Sequence, residues 1–268
     1  MLYYKNYKLI NTFNLPAIAK EIWFPEAVFE LAHIVRELNG KNYHILGSGS
    51  NVIMNQEIER VISLSKLPSE ASFSNNEFQI SANYPTHKFV RLVKKNIYTG
   101  IEALYGIPGS IGGAIAMNAG SAGQSISDNL VCCNVMDKKG YIKRYYKEEL
   151  NFKRRHSMFQ SSGDIILYAI FKFTDKNLNN DLLIQTMAYR TSFVKKPNAG
   201  GIFLNWHELK KYEKELRKLP LNNLKFANSI NVLFNTGNAS YEDIIDAIDK
   251  IQYIAHQQLK LEVKIWRN

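Results

Sequence analysis

Residues 100–123 read GIEALYGIPGSIGGAIAMNAGSAG. Seven of the chain's 15 glycines fall here, including Gly109, Gly112 and Gly113 in a Pro-Gly-x-x-Gly-Gly run, then Gly120 and Gly123. Glycine is used where the backbone takes unusual dihedral angles or comes close to something else. Almost nothing in the stretch is charged. A surface linker would be polar, so this loop reads as buried against something large and flat. Successive backbone N–H groups in such a loop can cradle an anion, and a ligand with a phosphate tail fits. A second cluster, Gly47-Ser48-Gly49-Ser50-Asn51, follows the strand-like His44-Ile45-Leu46. Two such loops can hold opposite sides of one nucleotide cofactor.

Composition sets the outer limits. The chain has 268 residues, 46% of them hydrophobic, which describes a folded protein with a sizeable core. The net charge of +10 points either to a solvated basic surface or to anionic partners such as nucleotides. Cys132 and Cys133 are sequence neighbours. On a strand they point to opposite faces, so they read as reduced core residues of a cytoplasmic protein. The N-terminal MLYYKNYKLINTF has no signal-peptide core, and no apolar run is long enough to span a membrane.

Periodicity outlines the elements. Residues 17–24 read as a strand and 26–38 as a helix started by Pro25 and stopped by Asn39-Gly40. Strands are expected at 43–46, 60–64 and 78–82, with a helix over 86–95. Strands at 130–137 and 141–146 are joined by a Lys138-Lys139-Gly140 turn. A basic loop at 152–159 (FKRRHSMF) precedes a strand at 164–173 and a helix at 180–194. Farther on come a small-residue loop at 198–205, a charged helix at 208–219, and strands at 231–235 and 261–266. Between those strands, Ser240 caps a helix over 241–259.

Several familiar signatures are missing. Position 52 is Val, so Gly47-x-Gly49 lacks the third glycine of a Rossmann fingerprint. There is no Walker A motif, no nucleophile elbow and no metal spacing among the six histidines.

What remains is a set of motifs in a fixed order: GSGSN at 47–51, GIPGSIGGAIAMNAGSAG at 106–123, Arg155-x-Ser157 after Phe152, and LKLEV at 259–263. Together these resemble the UDP-N-acetylenolpyruvoylglucosamine reductases, also called UDP-N-acetylmuramate dehydrogenases, over nearly the whole chain and in their compact form. The resemblance implies an α+β protein with an FAD-binding fold of the vanillyl-alcohol-oxidase (PCMH) type. It implies two FAD-binding subdomains, 1–67 and 68–196, and a small α/β substrate domain, 197–268. FAD is the implied cofactor and NADPH the hydride donor. The implied protein is a cytoplasmic monomer acting on a UDP-sugar, with no nucleic-acid or membrane partner.

By position, the resemblance assigns Gly47, Ser48, Gly49, Ser50, Asn51 and Val52 to the FAD pyrophosphate, together with Ile107, Pro108, Gly109, Ser110, Gly112 and Gly113. Asn118, Gly120 and Gly123 fall where the flavin is lined, and Arg190 is a further candidate near FAD. The family's catalytic arginine aligns with Arg155 and its glutamate with Glu262. Its proton-donating serine aligns with Gly201, within Ala199-Gly200-Gly201-Ile202-Phe203-Leu204-Asn205-Trp206. Leu204 and Trp206 likewise replace the usual lysine and proline, and Ser229-Ile230-Asn231 stands for His-Ala-Asn. The FAD half matches while the substrate half departs. Two alternatives therefore stand beside the reductase: an FAD oxidoreductase with another substrate, and a flavin-binding protein without turnover.

Overall fold

The structure, a computed structural model, describes residues 1–176, 180–192 and 195–267, with the backbone alone at 180 and 189–192. In chain order the elements begin with β1 (Leu2–Lys8), β2 (Ile18–Phe24), α1 (Val28–Glu37), β3 (His44–Leu46), β4 (Val52–Met54) and β5 (Glu57–Ser63). Next come β6 (Ala71–Ser74), β7 (Glu77–Ser81), α2 (Thr86–Lys95), α3 (Ile111–Ala116), the short hairpin β8 (Gly120–Ser121) and β9 (Gln124–Ser125), β10 (Leu130–Met136) and β11 (Ile142–Tyr146). The rest are α4 (Phe159–Ser162), β12 (Ile165–Lys172), α5 (Asn180–Ser192), α6 (Glu213–Leu216), β13 (Leu224–Phe226), β14 (Leu233–Asn235), α7 (Tyr241–Ile254) and β15 (Lys264–Trp266). Among the described residues, no helix is long and apolar enough to cross a membrane.

The chain forms two compact units that alternate along the sequence. The first is Met1–Tyr3, Ile22–Ser48 and Val61–Thr191; the second is Tyr4–Glu21, Gly49–Arg60 and Ser192–Asn268. These differ from three consecutive segments for a specific reason. In the second unit, β4 pairs in parallel with β15 (Ile53 beside Ile265), and Thr12 bonds both Gly49 and Asn198. Pieces of the first 67 residues are thereby bound to the C-terminal ones.

The first unit is built on an antiparallel sheet of order β11-β10-β12-β7-β6. Helices α2 and α3 share a core with it that includes Phe78, Phe89, Phe171 and Phe173. Helix α1 contributes Leu31, Ile34 and Val35 to a second core with Met136, Ile165 and Leu167. Alternation along β10 explains this division: Cys133 and Val135 belong to the first core and Met136 to the second. Both cysteines are buried free thiols, and burial raises the pKa of each.

The second unit packs Phe13, Ile53, Phe203 and Leu233 against Ile244, Ile248 and Ile251 of α7. Ser240 and Asp243 form a reciprocal cap at the start of α7 (Asp243 N to Ser240 Oγ 3.1 Å; Ser240 N to Asp243 Oδ2 2.9 Å). The helix stops at Ile254, short of the expected Leu259, because His256 takes the left-handed conformation (φ 51°). The expected charged helix at 208–219 is instead a 3₁₀ segment, Trp206–Tyr212, followed by the single turn α6. The end of the helix expected at 180–194 lies outside the described residues.

Candidate active site

The two glycine loops follow from the sheets that carry them. Residues 47–51 leave β3 at its C-terminal end, and β3 runs parallel to β5 (Leu46 beside Ser63). Residues 107–113 lead into α3, whose cap is Ser110; its Oγ accepts from the Gly113 amide at 3.5 Å. The loop is fixed by Thr86 N to Gly109 O (3.0 Å), Ile111 N to Tyr84 O (3.0 Å) and Gly112 N to Ala82 O (2.7 Å).

Several of these glycines are required by the protein's own packing. A Cβ on Gly49 would lie 2.7 Å from the Ile10 carbonyl, and one on Gly112 would lie 2.9 Å from the Ala82 Cβ. On Gly47 it would lie 2.9 Å from Ser110 Oγ, and on Gly120 it would collide with the Gln124 carbonyl. Gly123 and Ala122 both have positive φ (82° and 45°), as a two-residue hairpin turn between β8 and β9 requires. Close approach of backbone accounts for Gly49 and Gly120, close approach of a side chain for Gly47 and Gly112, and turn geometry for Gly123.

The same loops retain the features an anionic cofactor needs. Among the described residues, the amides of Ser48 and Gly49 have no protein acceptor, and neither do those of Gly109 and Ser110. Each loop, taken alone, thus offers two adjacent N–H groups to an incoming oxygen. These residues fit a dinucleotide with a pyrophosphate. Asn51 serves the protein itself. Its carbonyl accepts from Lys264 N (3.0 Å), and its Nδ2 donates to the Glu262 carbonyl (3.3 Å).

Arg155 sits in a tight turn closed by Lys153 N to His156 O (3.1 Å) and His156 N to Lys153 O (3.0 Å). Its backbone is left-handed, with φ 55°, a position that favours glycine or asparagine. The guanidinium donates to the Gly120 carbonyl (Nη2, 2.6 Å) and the Asn118 carbonyl (Nη1, 3.5 Å). Asn118 in turn donates from Nδ2 to Lys153 O (3.0 Å). The Ser157 of the Arg-x-Ser motif is fully buried and donates to the Ala116 carbonyl (2.8 Å). Residues 116–120 and the arginine turn are therefore one hydrogen-bonded assembly.

Glu262 lies just ahead of β15, half-buried, with its amide on the Ile202 carbonyl at 2.7 Å. This places it beside Gly201. A Cβ built on Gly201 would stand 3.6 Å from Glu262 Oε2 and 2.7 Å from Asn231 Nδ2. Asn231 is locked, accepting from Phe203 N (2.8 Å) and donating to Phe203 O (3.0 Å). Gly201 and Glu262 are thus brought together, with Asn231, named in the sequence only as part of Ser229-Ile230-Asn231, as their neighbour. The Arg190 side chain lies outside the described residues.

This geometry makes Gly201→Ser unfavourable. The serine Cβ would press on Asn231 Nδ2, which donates to the Phe203 carbonyl, at a cost of about 1–3 kcal/mol. Thermal unfolding should show the loss, with no gain in turnover. A tenfold gain at unchanged stability would contradict the steric argument.

Comparison with known proteins agrees with this picture. The FAD binding domain family matches residues 19–146. The UDP-N-acetylenolpyruvoylglucosamine reductase of Fusobacterium nucleatum is 28% identical, covering 97% of this chain and 95% of that protein. Those of Streptococcus pneumoniae and Bacillus pumilus are each 30% identical, covering 90% and 83% of this chain and 86% and 77% of theirs. The crystal structure of the Thermus caldophilus reductase superposes with a TM-score of 0.80 at 25% identity, covering 96% of both chains. A cofactor-binding half matched by an FAD domain, two 30% identical relatives covered over most of their length and a shared fold lead to one assignment: the chain belongs to the UDP-N-acetylenolpyruvoylglucosamine reductase family.

Proposed function

We propose that the chain reduces UDP-N-acetylglucosamine enolpyruvate to UDP-N-acetylmuramate with NADPH, as a cytoplasmic FAD enzyme of peptidoglycan precursor synthesis. Similarity to the reductases from end to end carries this reading. When bound, FAD would supply the hydride-transfer chemistry between NADPH and the enolpyruvyl double bond. The Ser48, Gly49, Gly109 and Ser110 amides would hold its pyrophosphate.

The protein's own groups do the rest. Arg155 carries a fixed positive charge and, in this reading, meets the substrate carboxylate and the negative charge that develops beside it. Because the turn is already locked, little reorganisation is needed as that charge grows. Glu262 is the ionisable group facing position 201, where the family places its proton donor. With no hydroxyl at 201, a water or Glu262 itself delivers the proton to the carbon next to the carboxylate. Glu262→Gln is expected to retain FAD and reduction by NADPH while enolpyruvyl turnover falls about 10²–10⁴-fold, the usual worth of a general acid or base. Half-reaction kinetics on the yellow protein check this, and normal turnover by the variant would remove Glu262 from the mechanism.

Leu204 and Trp206 favour a second reading, in which the same flavin machinery acts on another nucleotide-sugar. That enzyme would bind FAD and accept hydride from NADPH, yet it would leave the enolpyruvyl compound untouched.

A further inference from the structure

We infer that Gln160 is a positioning residue for Arg155, holding its strained backbone so that the guanidinium stays at the Asn118 and Gly120 carbonyls. The inference rests on the reductase reading, in which Arg155 meets the substrate. It starts from the left-handed φ of 55° at Arg155, which a side chain with a Cβ adopts at a cost. Such a conformation persists only where the surroundings over-determine it.

Gln160 lies in α4, five residues on from Arg155. Its Nε2 donates to the Arg155 carbonyl (2.9 Å) and to the Ala116 carbonyl (3.0 Å). One primary amide thus ties the arginine's own peptide to the stretch that leads into Asn118 and Gly120. Two neighbouring ties hold other groups: Ser157 also reaches Ala116 O, and the Asn118 side chain grips the Lys153 carbonyl. Gln160 therefore grips the strained residue itself. Without it, Ala116 O keeps its bond to Ser157, so the scaffold retains its tie while the Arg155 peptide loses this anchor. Relaxation of φ and ψ at Arg155 then swings the guanidinium away from the two carbonyls. A displacement of this kind at a reacting centre costs about 10- to 100-fold in rate.

The test uses the FAD-loaded protein under anaerobic conditions. Gln160→Leu, similar in size and without donors, should slow reoxidation of the reduced enzyme by UDP-N-acetylglucosamine enolpyruvate about 10- to 100-fold. FAD content and the rate of reduction by NADPH should not change. In an Arg155→Ala background the same substitution should slow nothing further, because a residue that acts through Arg155 has nothing left to act on. If Gln160→Leu fails to fold, Gln160→Met removes the donor with a longer side chain and gives the same readout. Equal slowing in both backgrounds, loss of both half-reactions together, or no slowing at all would each overturn the inference. If Arg155→Ala itself is reoxidised at the parent rate, Arg155 has no part in the reaction and the inference falls with its role. If Arg155→Ala is slow and Gln160→Leu is not, only the positioning of Arg155 by Gln160 is rejected.

Discussion

Replacing Glu102 by alanine is expected to lower the thermal midpoint by roughly 6–12 °C, the consequence of about 3 kcal/mol lost in a chain of this size. Glu102 is 4% exposed, a charged residue inside an otherwise uncharged stretch. Its carboxylate accepts from the Thr99 hydroxyl, the amides of Gly100 (2.9 Å) and Ile101 (3.0 Å), and Gln124 Nε2 (2.9 Å). Gln124 also accepts from the Ala103 amide (2.8 Å), which ties the start of the glycine stretch to the β8–β9 hairpin. Alanine strands four donors, at about 1 kcal/mol or more for each that water cannot reach.

The pH dependence follows from the same contacts. Burial raises the carboxyl pKa, but the hydrogen bonds from Thr99, Gln124 and the backbone outweigh it, and the net pKa is lowered. A lowered folded-state pKa gives stability that is present above the unfolded carboxyl value and lost as pH falls through the folded one. The gap between the parent and Glu102→Ala should therefore be widest near neutrality and close on acidification. Thermal melts across an acid-to-neutral series check both points. A variant melting within about 2 °C of the parent at neutral pH would show that the network does not hold the loop.

Arg155→Gly is expected to reduce enolpyruvyl turnover about 10²–10³-fold, the scale of losing one fixed donor to a developing anion. Stability should move little. Glycine relieves the left-handed backbone by up to about 1 kcal/mol, which offsets the lost guanidinium bond to Gly120. Activity collapsing at an unchanged midpoint is the signature of a residue strained for function. Steady-state kinetics and thermal unfolding on the same preparation would show it. Retained activity with a large drop in midpoint would make Arg155 a structural residue.

How much the sequence disclosed depended on the range of the interactions. Helix α2 was legible to the residue, Thr86–Lys95, because Phe89, Val90 and Val93 repeat at helical spacing onto the core. The glycine loops were legible as loops, but the purpose of each glycine was not. Nothing local reveals that Gly112 sits against Ala82, or Gly49 against Ile10. Strands β1, β4 and β6 escaped notice: β4 is three residues that pair with a strand more than 200 residues later, and no periodicity encodes such a partner. Turn and helix-end signals were also muted. Asn6, Asn14, Asn75, Asn118, Asn151 and Asn223 take left-handed positions where glycine would have been conspicuous, and His256 ends α7 in the same way.

The candidate site divides along the same line. Arg155, Glu262 and Gly201 were found by alignment of motifs, and the structure sets Gly201 and Glu262 side by side. Gln160 and the network around Glu102 went unnoticed, and Asn231 was named only within Ser229-Ile230-Asn231 with no role, because their roles lie in what they hold. One signal was available: a lone acid in the uncharged stretch 100–123 demands partners once buried.

The most direct test of the reductase account is anaerobic stopped-flow absorbance of the FAD-loaded protein. The flavin is first reduced with NADPH, and UDP-N-acetylglucosamine enolpyruvate is then mixed in. The account predicts rapid recovery of the oxidised flavin spectrum with formation of UDP-N-acetylmuramate. A flavin that stays reduced, firmly bound and indifferent to the enolpyruvyl compound would contradict it.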